Sequence, residues 1–174
     1  KKYQPLMQSD NRYTIVSGGR GSGKSYGINT FLLLLTFESD HNILFTRYTM
    51  ASAHISIIPE FLEKIELLGL ESSFEITKTQ IVNKDSGSKI IFRGLRTSSG
   101  DQSASLKSLQ GVTTWVLEEA EELNDESVFD KIDLSVRSNK RQNRVIMILN
   151  PATKEHWIYK KFFEGKGVEG GSNG

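Results

Sequence analysis

Apolar residues fall into two rhythms along this chain. Four short, nearly unbroken apolar runs, Tyr13–Val16, Asn42–Arg47, Val112–Leu117 and Val145–Asn150, predict strands covered on both faces, as inside a parallel sheet. Between them the spacing turns helical. Lys24–Thr36 is apolar on most sides and predicts a buried helix. In Ala51–Leu68, the residues Ile55, Ile58, Phe61, Leu62, Ile65 and Leu68 recur at helical spacing and Gly69 ends the run, while Pro59 predicts a kink or a fresh start near Ile58. Asp125–Val136 is amphipathic, with Asn124 or Asp125 as its cap, and Lys154–Phe163 predicts a last helix with Trp157, Ile158 and Phe162 on its apolar side. Phe74–Thr77, Thr79–Asn83 and Lys89–Arg93 are rich in β-formers. The last two flank Lys84-Asp85-Ser86-Gly87-Ser88, a hairpin signature, and predict an antiparallel addition at one edge of the sheet. The serine-rich stretch Thr97–Leu109 predicts a loop or short helix. Strands alternating with helices predict an α/β fold: a mainly parallel central sheet flanked by helices, with an antiparallel edge hairpin. Ligands in such sheets sit at the carboxyl ends of the strands.

Composition narrows this picture only slightly. The 174 residues suit one compact domain, predicted over 1–164, followed by a flexible glycine-rich tail or truncated linker over 165–174, where five of ten residues are glycine. The absence of cysteine excludes disulfides and thiolate metal sites. A formal net charge of +1 argues neither for nor against nucleic acid, because a local patch hides inside a balanced total. The longest apolar runs, Phe31–Leu35 and Val145–Leu149, are too short to cross a bilayer, so no membrane partner is expected.

Candidate chemistry begins at Ser17–Tyr26, S-G-G-R-G-S-G-K-S-Y. Gly18, Gly23, Lys24 and Ser25 satisfy the spacing of the phosphate-binding loop, between a predicted strand and a predicted helix, which is the context the motif needs. The glycines let successive N–H groups turn toward phosphate oxygens, and the helix adds its positive end. Gly18, Gly19, Arg20, Gly21, Ser22, Gly23, Lys24, Ser25 and Tyr26 are therefore expected to bind ATP. Lys24 should reach the β- and γ-phosphates and Ser25 should hold Mg²⁺. Arg20 either neutralises charge on the transferring phosphoryl group or faces solvent or an acid of a neighbouring strand. Near the start, Tyr3, Gln4 and Pro5 form a plain N-terminal arm or touch an adenine, for which Gln4 offers both a donor and an acceptor.

Two other strand ends carry polar residues. Glu118 and Glu119 follow Leu117: Glu118 is expected to hold Mg²⁺, and Glu119 to take a proton from the attacking water or orient it. The alternative is an acidic helix start, with Glu121 and Glu122 nearby. Asn150, before Pro151, is a turn residue or a hydrogen-bond partner of the γ-phosphate or the attacking water. Arg137, Lys140, Arg141 and Arg144 form a basic cluster that is either a solvated turn or a contact to DNA phosphates.

Together these residues resemble the large terminase subunit of tailed bacteriophages. The resemblance rests on Gly18–Ser25, on Trp115-Val116-Leu117-Glu118-Glu119-Ala120, and on Leu149-Asn150-Pro151. His156-Trp157-Ile158-Tyr159 and Ile91-Phe92-Arg93-Gly94-Leu95 add to it, so that it spans about Tyr13 to Phe163. It implies a P-loop ATPase of the catalytic-glutamate class that pumps double-stranded DNA into a procapsid. The implied partners are a portal protein, a small terminase subunit, and further copies in a ring, typically five. The implied location is the cytoplasm of an infected bacterium, at the portal vertex. Glu118 and Glu119 match the Mg-linked acid and the catalytic glutamate, Asn150 the coupling motif, and Lys107 either a basic residue that acts on the neighbouring subunit's ATP or a solvated lysine. Glu118 departs from the commoner Asp. Family members also carry a nuclease domain with metal-binding aspartates. No aspartate follows Asp133 here, so nuclease activity is not expected from this chain. The competing readings are another ATP-dependent translocase or helicase and a nucleotide-switch assembly module.

Overall fold

The structure, a computed structural model, describes residues 9–19, 21–97, 100–101, 109–151 and 154–164. Its strands are β1 (Tyr13–Ser17), β2 (Asn42–Arg47), β3 (Phe74–Ile76), β4 (Gln80–Asn83), β5 (Lys89–Gly94), β6 (Arg96–Thr97), β7 (Gly100–Asp101), β8 (Thr114–Glu118) and β9 (Arg144–Leu149). Its α-helices are α1 (Lys24–Leu35), α2 (Ala53–Ser56), α3 (Ile58–Leu67), α4 (Glu126–Asp133) and α5 (Trp157–Phe162). Seven strands form one sheet in the order β1-β9-β8-β2-β5-β4-β3, and β6 and β7 pair separately.

All pairs from β1 to β5 across the sheet are parallel. Only β3 and β4 run antiparallel, at the edge. The expected edge hairpin is therefore present, but β5 is also a full member of the parallel sheet through β2. Its Ile90-Ile91-Phe92 run is buried on both faces, which explains the unbroken apolar sequence. The break at Pro59 also appears: α2 ends at Ser56 and α3 starts at Ile58, with the proline in its first turn, where no intrahelical N–H is needed. Asp125 caps α4 by accepting from the Ser127 N–H. The last helix is shorter than expected, because His156 forms its cap and Trp157 its first turn.

Both sheet faces are covered. On one, Ile28, Phe31 and Leu32 of α1 and Phe61 and Ile65 of α3 pack on Ile43, Phe45, Val116 and Ile146. On the other, Phe129 of α4 and Trp157 of α5 pack on Trp115, Leu117 and Met147, with ring centroids 5.0 and 4.9 Å apart along Trp115–Phe129–Trp157. Two buried layers fix the sheet as a rigid plate. The register of that plate brings the strand ends level: Ser17 pairs with Leu149, Ile148 with Glu118, and Glu118 with Arg47.

Candidate active site

Strand β9 lies between β1 and β8. The phosphate loop after β1 and the carboxylates at the end of β8 thus stand one strand apart, with Asn150 between them. They line a cleft of about 480 Å³ with Gly21, Ser22, Gly23, Arg47 and Glu60. A larger hollow of about 990 Å³ opens at the amino ends of the strands, beside Tyr13, Asn42 and Lys89, and holds none of the motif residues. Chemistry, not size, locates the site.

Gly21 and Gly23 have φ of 76° and 77°, the left-handed region that glycine enters without a Cβ clash. This winds the loop around the Lys24 ammonium. Lys24 is buried, and its Nζ donates to Gly18 O, to Gly19 O at 2.9 Å, and more weakly to Ser22 Oγ and Asn150 Oδ1, both at 3.4 Å. The ammonium rests on its own loop's carbonyls, which phosphate oxygens can replace. Ser25 Oγ donates to Glu118 Oε1 at 2.8 Å, and Arg47 Nε donates to Glu118 Oε2 at 2.6 Å. Glu118, only 4% exposed, is held from both sides.

Glu119 is different. Strand alternation would send it to the opposite face from Glu118. Instead its backbone adopts φ 52° and ψ 45°, an uncommon left-handed conformation for a residue with a side chain. The chain turns there, and Glu119 lines the cleft while staying exposed and unbonded through its side chain among the described residues. Glu121 and Glu122 follow in a short 3₁₀ turn, so the acidic helix start and the paired acids are both present in one segment. Glu121 accepts from the Asn150 side-chain amide at 2.8 Å and from its backbone N–H at 3.3 Å. The turn is clamped from behind: Trp157 Nε1 donates to Leu123 O at 2.6 Å, and His156 Nε2 lies 3.1 Å from Glu121 O. His156 Nδ1 accepts from the Ile158 N–H, so Nε2 carries the proton.

Two site residues escaped sequence reasoning. Arg47 ends β2 and meets Glu118 only through sheet register; a lone cation closing an apolar strand was the available signal. Glu60, in the first turn of α3, enters the cleft from above the sheet. Burial raises its pKa first, then the charge of Glu118 and, less, of Glu119, against the opposing pull of Arg47 and Lys64.

The donor set suits magnesium. A hydroxyl and a carboxylate already in contact offer the few oxygen ligands that this ion takes while keeping most of its water and the substrate's phosphates. Among the described residues no three-residue His, Cys, Asp or Glu cluster offers a fuller cage. Tyr26 is 58% exposed, with Lys64 Nζ 4.6 Å from its ring centroid, so its side chain points toward α3; its backbone lies in the first turn of α1 and, against expectation, it does not line the cleft. Arg20, Lys107 and Gln4 lie outside the described residues. The basic cluster sits at the far end of the sheet: Arg141 lies 3.8 Å from Glu38, Lys140 lies 3.7 Å from Asp40, and Arg144 is half-buried over Phe31. No described helix is long and apolar enough to cross a membrane.

Residues 10–170 match the family described as phage terminase large subunit. No curated protein matches the sequence. Among solved structures, the large terminase of a thermophilic bacteriophage superposes with a TM-score of 0.73 at 15% identity, covering 93% of this chain and 41% of that one. The same phage protein has been solved with ADP and with ATP-gamma-S. The N-terminal domain of the DNA packaging ATPase from bacteriophage phi29 gives 0.68 at 17% identity, over 92% of this chain and 84% of that one. The large terminase of bacteriophage HK97 gives 0.67 at 14% identity, over 86% and 32%. The chain thus spans less than half the length of the two large terminases.

Proposed function

Because the chain belongs to the phage terminase large-subunit family, we propose that it is the motor ATPase part of a DNA-packaging machine, hydrolysing ATP to move double-stranded DNA into a procapsid. The observation that carries this reading is the Lys24–Ser25–Glu118 arrangement, with Glu119 turned into the mouth of the same cleft. Lys24 exchanges the carbonyls of Gly18 and Gly19 for the β- and γ-phosphates, while the loop N–H groups and the start of α1 cradle the rest. Ser25 and Glu118 would hold Mg²⁺, which would supply positive charge to the phosphates. Glu119 accepts a proton from the attacking water as its oxygen approaches the γ-phosphorus. Asn150, bonded to Glu121 and near Lys24, senses whether the terminal phosphate is present. Arg20 offsets charge on the transferring group, Gln4 touches the adenine, and Lys107 acts on the ATP of a neighbouring copy.

The partners that fit this role are double-stranded DNA, a portal protein, a small terminase subunit and further copies in a ring, at the portal vertex inside an infected bacterium. The complexes of the thermophilic phage's large terminase with ADP and ATP-gamma-S support nucleotide binding at an equivalent fold. The test is binding and turnover of ATP with magnesium by the native chain and by Lys24→Ala. The native chain should do both, and the variant should lose turnover and bind at least about tenfold more weakly, the scale of one charge-assisted contact. Equal binding by the two would remove the phosphate loop from its role.

A further inference from the structure

Arg47 spends one nitrogen, Nε, on Glu118, and neither Nη donates to a described residue. Its side chain is 19% exposed and lies in the cleft wall. Glu60 lines the same wall from α3, and its carboxylate makes no hydrogen bond or ion pair with a described residue. It is half-buried close to Glu118 and Glu119, with Arg47 and Lys64 as the opposing charges. Lys64 Nζ is committed elsewhere, to Glu60 O and the face of Tyr26. A half-buried carboxylate with no partner beside two like charges costs stability, and such groups persist where function requires them. The only described cation with spare donors in that wall is Arg47.

We propose that Glu60 is a positioning residue of the nucleotide site: when a divalent cation draws Glu118 off Arg47, Glu60 receives the guanidinium and so lets Glu118 serve the metal. This rests on the nucleotide-site reading above. Without Glu60, moving Glu118 toward the metal would strand Arg47 in a low-dielectric wall, and the metal would have to break that ion pair unaided. With Glu60, one ion pair replaces another and the cleft keeps its charge balance.

The test is equilibrium binding of a fluorescent, non-hydrolysable ATP analogue, titrated with magnesium and repeated in chelator. In Glu60→Gln, the magnesium concentration for half-maximal binding should rise about fivefold, the scale of a partly screened ion pair. Binding in chelator should not weaken, because a negative charge has gone. Glu60→Asp should restore most of the magnesium response. In an Arg47→Gln background, Glu60→Gln should add nothing further, since the guanidinium it serves is absent. Equal shifts with and without magnesium, or an undiminished effect in the Arg47→Gln background, would overturn the hand-over. Should the native chain bind the analogue with no response to magnesium, the metal site itself falls; a native response that Glu60→Gln leaves untouched overturns this proposal alone.

Discussion

Replacing Glu119 by glutamine separates two effects that usually move together. The side chain keeps its length, and no described hydrogen bond is lost, because the carboxylate makes none. Loss of a general base removes about 10²–10⁴ in rate, so turnover should fall at least about a hundredfold, or about 2.7 kcal/mol of barrier. Binding should move the other way. Taking one negative charge from about 6 Å of the terminal phosphate, at an effective dielectric near 40, relieves about 1.4 kcal/mol of repulsion, or about tenfold in affinity. Single-turnover hydrolysis gives the first quantity, and titration with a fluorescent ATP analogue gives the second. Glu63→Gln, exposed on α3 and away from the cleft, serves as control. The reasoning fails if rate and affinity fall together, if the rate is unchanged, or if Glu122→Gln carries the loss instead.

Three further outcomes follow from the geometry. Glu118→Gln made in a Glu60→Gln background should lower the melting temperature of the nucleotide-free protein by about 5 °C, because Arg47 then has neither carboxylate to pair with; with its side chain partly exposed the cost is about 1–3 kcal/mol rather than the full buried value. An unchanged melting temperature would show that the pair adds nothing. Thr46→Val should cost about 1–3 kcal/mol, since the fully buried Thr46 Oγ1 accepts from Trp115 Nε1 at 2.9 Å and donates to Val116 O at 2.9 Å, and valine strands both; ATP turnover well below the melting point should stay native. Burial lowers the pKa of His41 from its ordinary 6.5, against the Glu38 hydrogen bond that raises it, with Arg141 and Arg144 lowering it further. The unfolded chain therefore takes up this proton first as pH falls. The stability from keeping His41 neutral is whole above about pH 6.5 and lost as pH drops toward the folded value. His41→Gln should flatten that acid limb in denaturation midpoints taken from pH 7 downward, and an identical slope would refute the assignment.

Local chemistry made the loop, four of the parallel strands, the break at Pro59 and the Asp125 cap readable in the sequence, because each depends on neighbours within a few residues. Arg47 and Glu60 were not readable in the same way. Arg47 meets Glu118 71 positions away, through the pairing of β2 with β8. Glu60 reaches the cleft only because α3 restarts after Ile57 and brings its first turn beside the carboxyl ends of β2 and β8. The parallel pairing of β5 was visible in its unbroken apolar run, yet the adjacent hairpin signal dominated, since a turn is local and a β2–β5 pairing is not. Glu119 was assigned by position; its left-handed backbone, which aims it, carries no mark in the residue type. The role of His156-Trp157 as a clamp on the turn after Glu119 likewise needs the fold.

The charges around the cleft explain why those long-range contacts matter. Glu60, Glu118, Glu119, Glu121 and Glu122 line it, against Lys24 and Arg47 among the described residues. Both cations are already engaged, Lys24 by loop carbonyls and Arg47 by Glu118. A triphosphate entering alone would add negative charge to a negative wall and find its cations occupied, with each close like-charge pair costing on the order of 1 kcal/mol. A phosphate-bound divalent cation would change both terms at once, offsetting the wall and competing for Glu118, and under the proposed hand-over Arg47 would then turn to Glu60. On the proposed reading, the same acids that would repel a bare nucleotide would hold a metal-bound one and leave Glu119, exposed and without a side-chain bond to a described residue, facing water. In the proposed mechanism, the left-handed backbone at Glu119 is the feature that would give two neighbouring acids different tasks, Glu118 toward the metal and Glu119 toward the proton.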